Sequence, residues 1–172
     1  MSDELNENIL SLFQRLLPFL TSVLLLFLSY VPIDFLLLNS IRPAVGLMCA
    51  FFWLQHRPDL FNLGTVFLLG LIDDLISMAP LGSNAFEMLL MYVLVNNTSR
   101  LFNAKPFVVL WYGFAILSLV AMLGRWLVVS VYYSQFLPLS MLLFSYMVTI
   151  AVYPFVSVLL AFVQNNLIKE EG

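Results

Sequence analysis

Five ionisable residues stand in or beside the apolar runs of this 172-residue chain: Arg42, Asp73, Asp74, Glu87 and Arg125. A charge at the centre of a hydrocarbon span costs about 2.5–3.5 kcal/mol on insertion scales, so each needs a physical reason to be there. Adjacent carboxylates with arginines nearby suit a lock between helices, a ligand pocket, or a proton or ion relay. The lock is the plainer reading. An acid–base catalytic pair is the weakest, because neighbours on a helix point about 100° apart and do not share one reacting atom easily. Other chemistry lacks its parts. His56 is the only histidine and sits in a charged turn, so a metal cluster or a histidine dyad has no partner. Cys49 is the only cysteine and lies inside an apolar run, which excludes an internal disulfide. There is no glycine-rich phosphate loop and no activated-serine motif. No catalytic, metal-ligating or cofactor-binding residue is expected.

The elements that must position these charges follow from composition. Hydrophobic residues make up 62% of the chain and charged residues 10%, and the mean hydropathy is +1.00. A soluble domain is about 45–50% apolar and about 25% charged, so too few charges exist here to cover a water-facing globule. Lipid is the expected solvent. No basic tract is long enough to grip nucleic acid, and the formal charge is −3. Asp3, Glu4 and Glu7 stand where a secretory signal wants positive charge, so the first apolar run is expected to stay.

The expected architecture is all-α, one integral membrane domain over residues 1–172 with six transmembrane helices. The spans are placed at about 16–31, 44–55, 60–77, 85–99, 107–131 and 139–163. The second and fourth are short against the roughly 17–25 residues a span needs, so neighbouring helices must cover their ends, or the pair is re-entrant. Arg15, Arg57, Arg100, Lys105 and Lys169 fall on one side and Arg42 on the other, which predicts cytoplasmic N- and C-termini. Trp111 and Trp126, about 22 Å apart at helical rise, are expected at the two interfaces, and Pro154 is expected to kink the last helix. Gly46 and Ala50 are spaced to let the second helix pack closely.

In this arrangement Asp73 and Asp74 lie roughly 20 Å up the third helix, in the outer half of the bilayer. Arg125 reaches a similar level, and Arg42 and Glu87 begin the second and fourth helices on the same side. A polar network is predicted, with Arg42 and Arg125 facing Asp73, Asp74 and Glu87. Two plainer roles compete. Glu87, three residues after Asn84, has the spacing of a capping box, and Arg42 can serve as an interfacial anchor. A capping role is not expected for Asp73 or Asp74, since both sit inside a helix.

Three stretches in order carry a family resemblance. They are Ile41-Arg42-Pro43, then Trp53-Leu54-Gln55-His56-Arg57-Pro58-Asp59, then Gly70-Leu71-Ile72-Asp73-Asp74-Leu75-Ile76-Ser77 with Pro80-Leu81-Gly82-Ser83-Asn84-Ala85. Together with length and hydropathy they resemble the MreD family of bacterial rod shape-determining proteins. Pro43, Arg57, Pro58, Asp59, Pro80, Leu81 and Gly82 match its motif turns. Pro43 is followed by Ala44 where the family carries an acid, and Asp73 stands where it usually carries Gln. The resemblance implies a non-enzymatic scaffold of the inner membrane without cofactors, supporting cell shape and lateral peptidoglycan synthesis. The implied partners are MreC, the RodA glycosyltransferase with its penicillin-binding transpeptidase, and the MreB filament. It also implies a helix arrangement similar to the substrate-binding subunits of energy-coupling-factor transporters. The alternative function is accordingly a small-molecule-binding subunit of such a transporter.

Overall fold

The computed structural model describes residues 2–31, 42–102 and 106–167, and the side chains of all of these but 2–14, 99–102 and 167. Among the described residues there are six α-helices and no strand: α1 (Ser2–Tyr30), α2 (Val45–His56), α3 (Leu63–Ser77), α4 (Ser83–Phe102), α5 (Phe107–Tyr132) and α6 (Leu139–Leu167). Pro32, Asp34, Ile41, Lys105 and Lys169, which entered the reading of spans, sidedness and motif, lie outside the described residues. Two helices, α5 and α6, are long and apolar enough to cross a membrane by length and composition.

The shortest helix is the centre of the bundle. Every residue of α2 from Val45 to Leu54 is buried, as suits a helix that is apolar on all sides. It packs against α1, α3, α4 and α6. Its 12 residues rise only about 18 Å. At Gly46 the end of the Met88 side chain lies so close that an added Cβ would displace it. The α2–α3 turn holds the Arg57–Asp59 ion pair at 3.3 Å, and His56 stacks on Phe52. Then α3 opens on Asn62, whose side chain accepts the Thr65 amide at 3.1 Å, a side-chain N-cap.

The α3–α4 hairpin is the tightest. Gly70 lies against the Ala85 backbone so closely that a Cβ would clash with it. The turn between them puts Met78 in the left-handed region at φ 53° and Gly82 at φ +94°, which a glycine adopts without steric cost.

The two helices long and apolar enough to cross a membrane form the α5–α6 hairpin, held by polar contacts as well as by packing. The Tyr146 hydroxyl donates to the Ala115 carbonyl at 2.8 Å. The Trp126 indole donates to the Leu137 carbonyl at 3.1 Å. Pro154 lacks an N–H and so frees the carbonyl four residues earlier, that of Ile150. The Trp111 indole donates to that carbonyl at 3.2 Å. Both tryptophans, expected as interfacial anchors, are seen to bind α5 to α6 or to the turn before it. An aromatic cluster completes the core, with Tyr153 stacked on Phe114 at 4.1 Å and edge-on to Phe51 at 5.9 Å.

Candidate functional site

Successive helices run in alternating directions, which brings the ends of α1, α3 and α5 and the starts of α2, α4 and α6 to one end of the bundle. A cavity of about 510 Å³ opens there, and four of the five singled-out charges line it: Arg42, Asp73, Glu87 and Arg125. Tyr30, Ser77 and Asn84 add polar groups, while Met88, Met122, Met141 and Leu142 supply apolar wall.

Asp74, the fifth charge, has a different task. Its Oδ1 accepts the Asn84 amide at 2.8 Å and the Ser83 hydroxyl at 3.1 Å. Its Oδ2 accepts the amides of Gly82 at 2.8 Å and Ala85 at 3.3 Å. The Gly82 carbonyl accepts the first bond of α4, from Phe86 at 2.8 Å, so Gly82 is the N-cap residue. Glycine has no side chain with which to cap, and the buried Asp74 carboxylate does so from the preceding helix. This corrects two expectations. A residue inside one helix can cap the next, and Glu87 does not close a capping box. Asn84 turns its side-chain amide to the Ser77 hydroxyl at 3.1 Å instead. Asp74 pairs with neither arginine among the described residues.

The remaining four charges form two loose groups. Asp73 accepts the Tyr30 hydroxyl at 2.7 Å, and the Arg42 guanidinium lies over the Tyr30 ring at 4.9 Å. The chain Arg42–Tyr30–Asp73 is therefore a cation–π contact followed by a hydrogen bond. Arg125 approaches Glu87 at 3.7 Å, with side-chain exposures of 34% and 5%. That separation is an ion pair but no hydrogen bond. The Oε1 of Glu87 and the Nε of Arg125 have no partner among the described residues.

The segment carrying Arg42 is fixed from α6. The Ser145 hydroxyl donates to the Arg42 carbonyl at 2.8 Å, and the Ala44 amide donates to the Thr149 hydroxyl at 3.0 Å. One of the orphan donors at the start of α2 is satisfied in this way. Ser145, Thr149 and Tyr30 were not singled out in the sequence. Only Tyr30 carried a signal, an aromatic at the end of the first span on the same side as the charges.

The motif turns fall at both ends. Pro43 and the Pro80-Leu81-Gly82 turn lie at the cavity end, with the Pro80 carbonyl accepting the Ser83 amide at 3.0 Å. Arg57, Pro58 and Asp59 lie at the far end, beyond α2. No group of three or more His, Cys, Asp or Glu side chains suited to a metal ion occurs among the described residues.

No curated protein and no solved structure matches the chain. The family model described as rod shape-determining protein MreD matches residues 10–163, which takes in five of the six helices entirely or nearly so and most of α1. The match extends well beyond the residues that carry the motifs. The chain belongs to the MreD family of rod shape-determining proteins.

Proposed function

We propose that this chain is a non-catalytic, multi-pass scaffold of the bacterial inner membrane that supports lateral cell-wall synthesis through its helix faces. The MreD family supports a role in rod shape, and it is not known as a family of enzymes. The observation that carries the scaffold reading is the outward face of α5 and α6. Ile116, Phe155, Val158 and Phe162 are each at least 65% exposed, an apolar surface that water would not tolerate but lipid and partner helices would. Six spans with both termini in the cytoplasm follow the lysine and arginine distribution, and the cavity then opens toward the outer face. Packing of a single-pass partner against this surface regulates it only where the two partner conformations bind with different affinity. MreC is the first partner, with RodA, its penicillin-binding transpeptidase and MreB in the same assembly.

Depletion in rod-shaped cells tests the reading, combined with photocrosslinkers placed at Ile116, Phe144, Phe155 and Phe162. The expected result is rounding of the cells and capture of MreC from at least one of these faces. Rods that persist on depletion overturn it. A second reading, a small-molecule subunit of an energy-coupling-factor-type transporter, is favoured by the cavity alone. It predicts an uptake defect with unchanged shape.

A further inference from the structure

The cavity contains a charge pattern that the protein leaves half used. Arg42 and Arg125 face Asp73 and Glu87, equal in number and opposite in sign, while Asp74 is withdrawn into its cap. Glu87 is the informative member. It is buried, lines the cavity, and has an Oε1 with no hydrogen-bond donor among the described residues. Its nearest cation stands at 3.7 Å and keeps its own Nε unused. A buried carboxylate oxygen without a donor is costly, and so is a buried guanidinium N–H without an acceptor. Packing alone would draw the two together into a bidentate pair. Here both side chains line the cavity, and each keeps one unsatisfied polar atom.

The geometry points to a binding site for a small zwitterion, with a primary ammonium at Glu87 and Asp73 and an anionic group at Arg125 and Arg42. An ammonium brings the donors that Glu87 lacks, and a phosphate or carboxylate brings the acceptor that Arg125 lacks. A ligand with no net charge matches a cavity with no net formal charge. The volume of about 510 Å³ lies within the roughly 300–1,000 Å³ of small-molecule sites. The methionines of the wall can repack around an aliphatic portion. The glycerophosphoethanolamine diester, one ammonium and one phosphate charge, has this chemistry, either as a lipid headgroup or free. The site does not depend on the partner contacts proposed above, and binding is read independently of cell shape.

The full-length protein in phosphatidylglycerol nanodiscs tests it, with glycerophosphoethanolamine as the soluble probe and phosphatidylethanolamine in the disc as the lipid probe. Saturable binding is expected by calorimetry or by a thermal shift. Saturation by the soluble probe identifies a site for the free zwitterion. Saturation by the lipid alone identifies a headgroup site. Glycerophosphocholine, whose quaternary nitrogen has no N–H, should bind at least about tenfold more weakly. Glu87→Gln should weaken the ammonium half by about tenfold or more. Arg42→Gln, at an exposed position outside the core, should weaken the anion half and keeps the test open where Glu87→Gln fails to fold. Absence of saturable binding by both probes, equal binding of the choline compound, or wild-type affinity in both variants overturns the proposal.

Discussion

The carboxylate of Asp74, near the end of α3, accepts the backbone amide of Gly82 at 2.8 Å, and Gly82 is the N-cap residue of α4. The acid thus acts as the N-cap side chain that glycine cannot provide, and it is well placed against the positive end of the α4 dipole. Asp74→Asn removes one acceptor oxygen and sets an NH2 group against amides that already donate. The expected loss is about 2–3 kcal/mol, since these bonds are charge-assisted and buried. Asp73→Asn keeps an acceptor for Tyr30 and should cost under about 1 kcal/mol. Thermal midpoints in one detergent compare the two. Equal losses would mean that the cap is not what stabilises the hairpin.

Gly70 makes a second prediction about the same hairpin. A Cβ there meets the Ala85 backbone, which cannot rotate away as a side chain can. Gly70→Ala should therefore cost at least about 2 kcal/mol through overpacking. At Gly64 an added Cβ meets only the Asn62 side-chain oxygen at 3.3 Å. Gly64→Ala should cost less than Gly70→Ala, since the atom it meets is the Asn62 cap oxygen, on a side chain rather than on backbone. The measurement is the midpoint of each variant, and a Gly70→Ala protein as stable as the parent would refute the close approach.

The six helices were legible because long apolar runs punctuated by Pro, Asn and charge leave few alternatives in a chain this hydrophobic. Their bounds moved where caps decide them. The third helix begins at Leu63 rather than 60 because Asn62 is its cap. The clustering of Arg42, Asp73, Glu87 and Arg125 at one end followed from counting residues along alternating helices. Which charge meets which did not follow, because pairing depends on helix rotation, and no run of residue types records that. The role of Asp74 was hidden for the same reason. Its partners, 8 to 11 residues on, are reached only once the turn at Gly82 folds back.

Rotation also decides the partner of Arg125. The guanidinium stands 3.7 Å from Glu87, whereas Asp73 is engaged by Tyr30. A double-mutant cycle with Arg125→Gln and Glu87→Gln should give a coupling of about 1–2 kcal/mol, reduced by the part-exposure of the arginine. The cycle with Asp73→Asn should give the smaller coupling of the two. A reversal of the two couplings would reassign the pair.

Trp111 and Pro154 should also be coupled, for a covalent reason. Proline cannot donate to the Ile150 carbonyl, and the Trp111 indole does so at 3.2 Å. Trp111→Phe keeps the aromatic bulk but strands that carbonyl, at an expected cost of about 1–2 kcal/mol in a low-dielectric setting. Pro154→Ala restores the helical N–H, so the carbonyl no longer needs the indole. In the Pro154→Ala background the same Trp111→Phe change should therefore cost under about 0.5 kcal/mol. Additive losses would show instead that the indole acts only through packing.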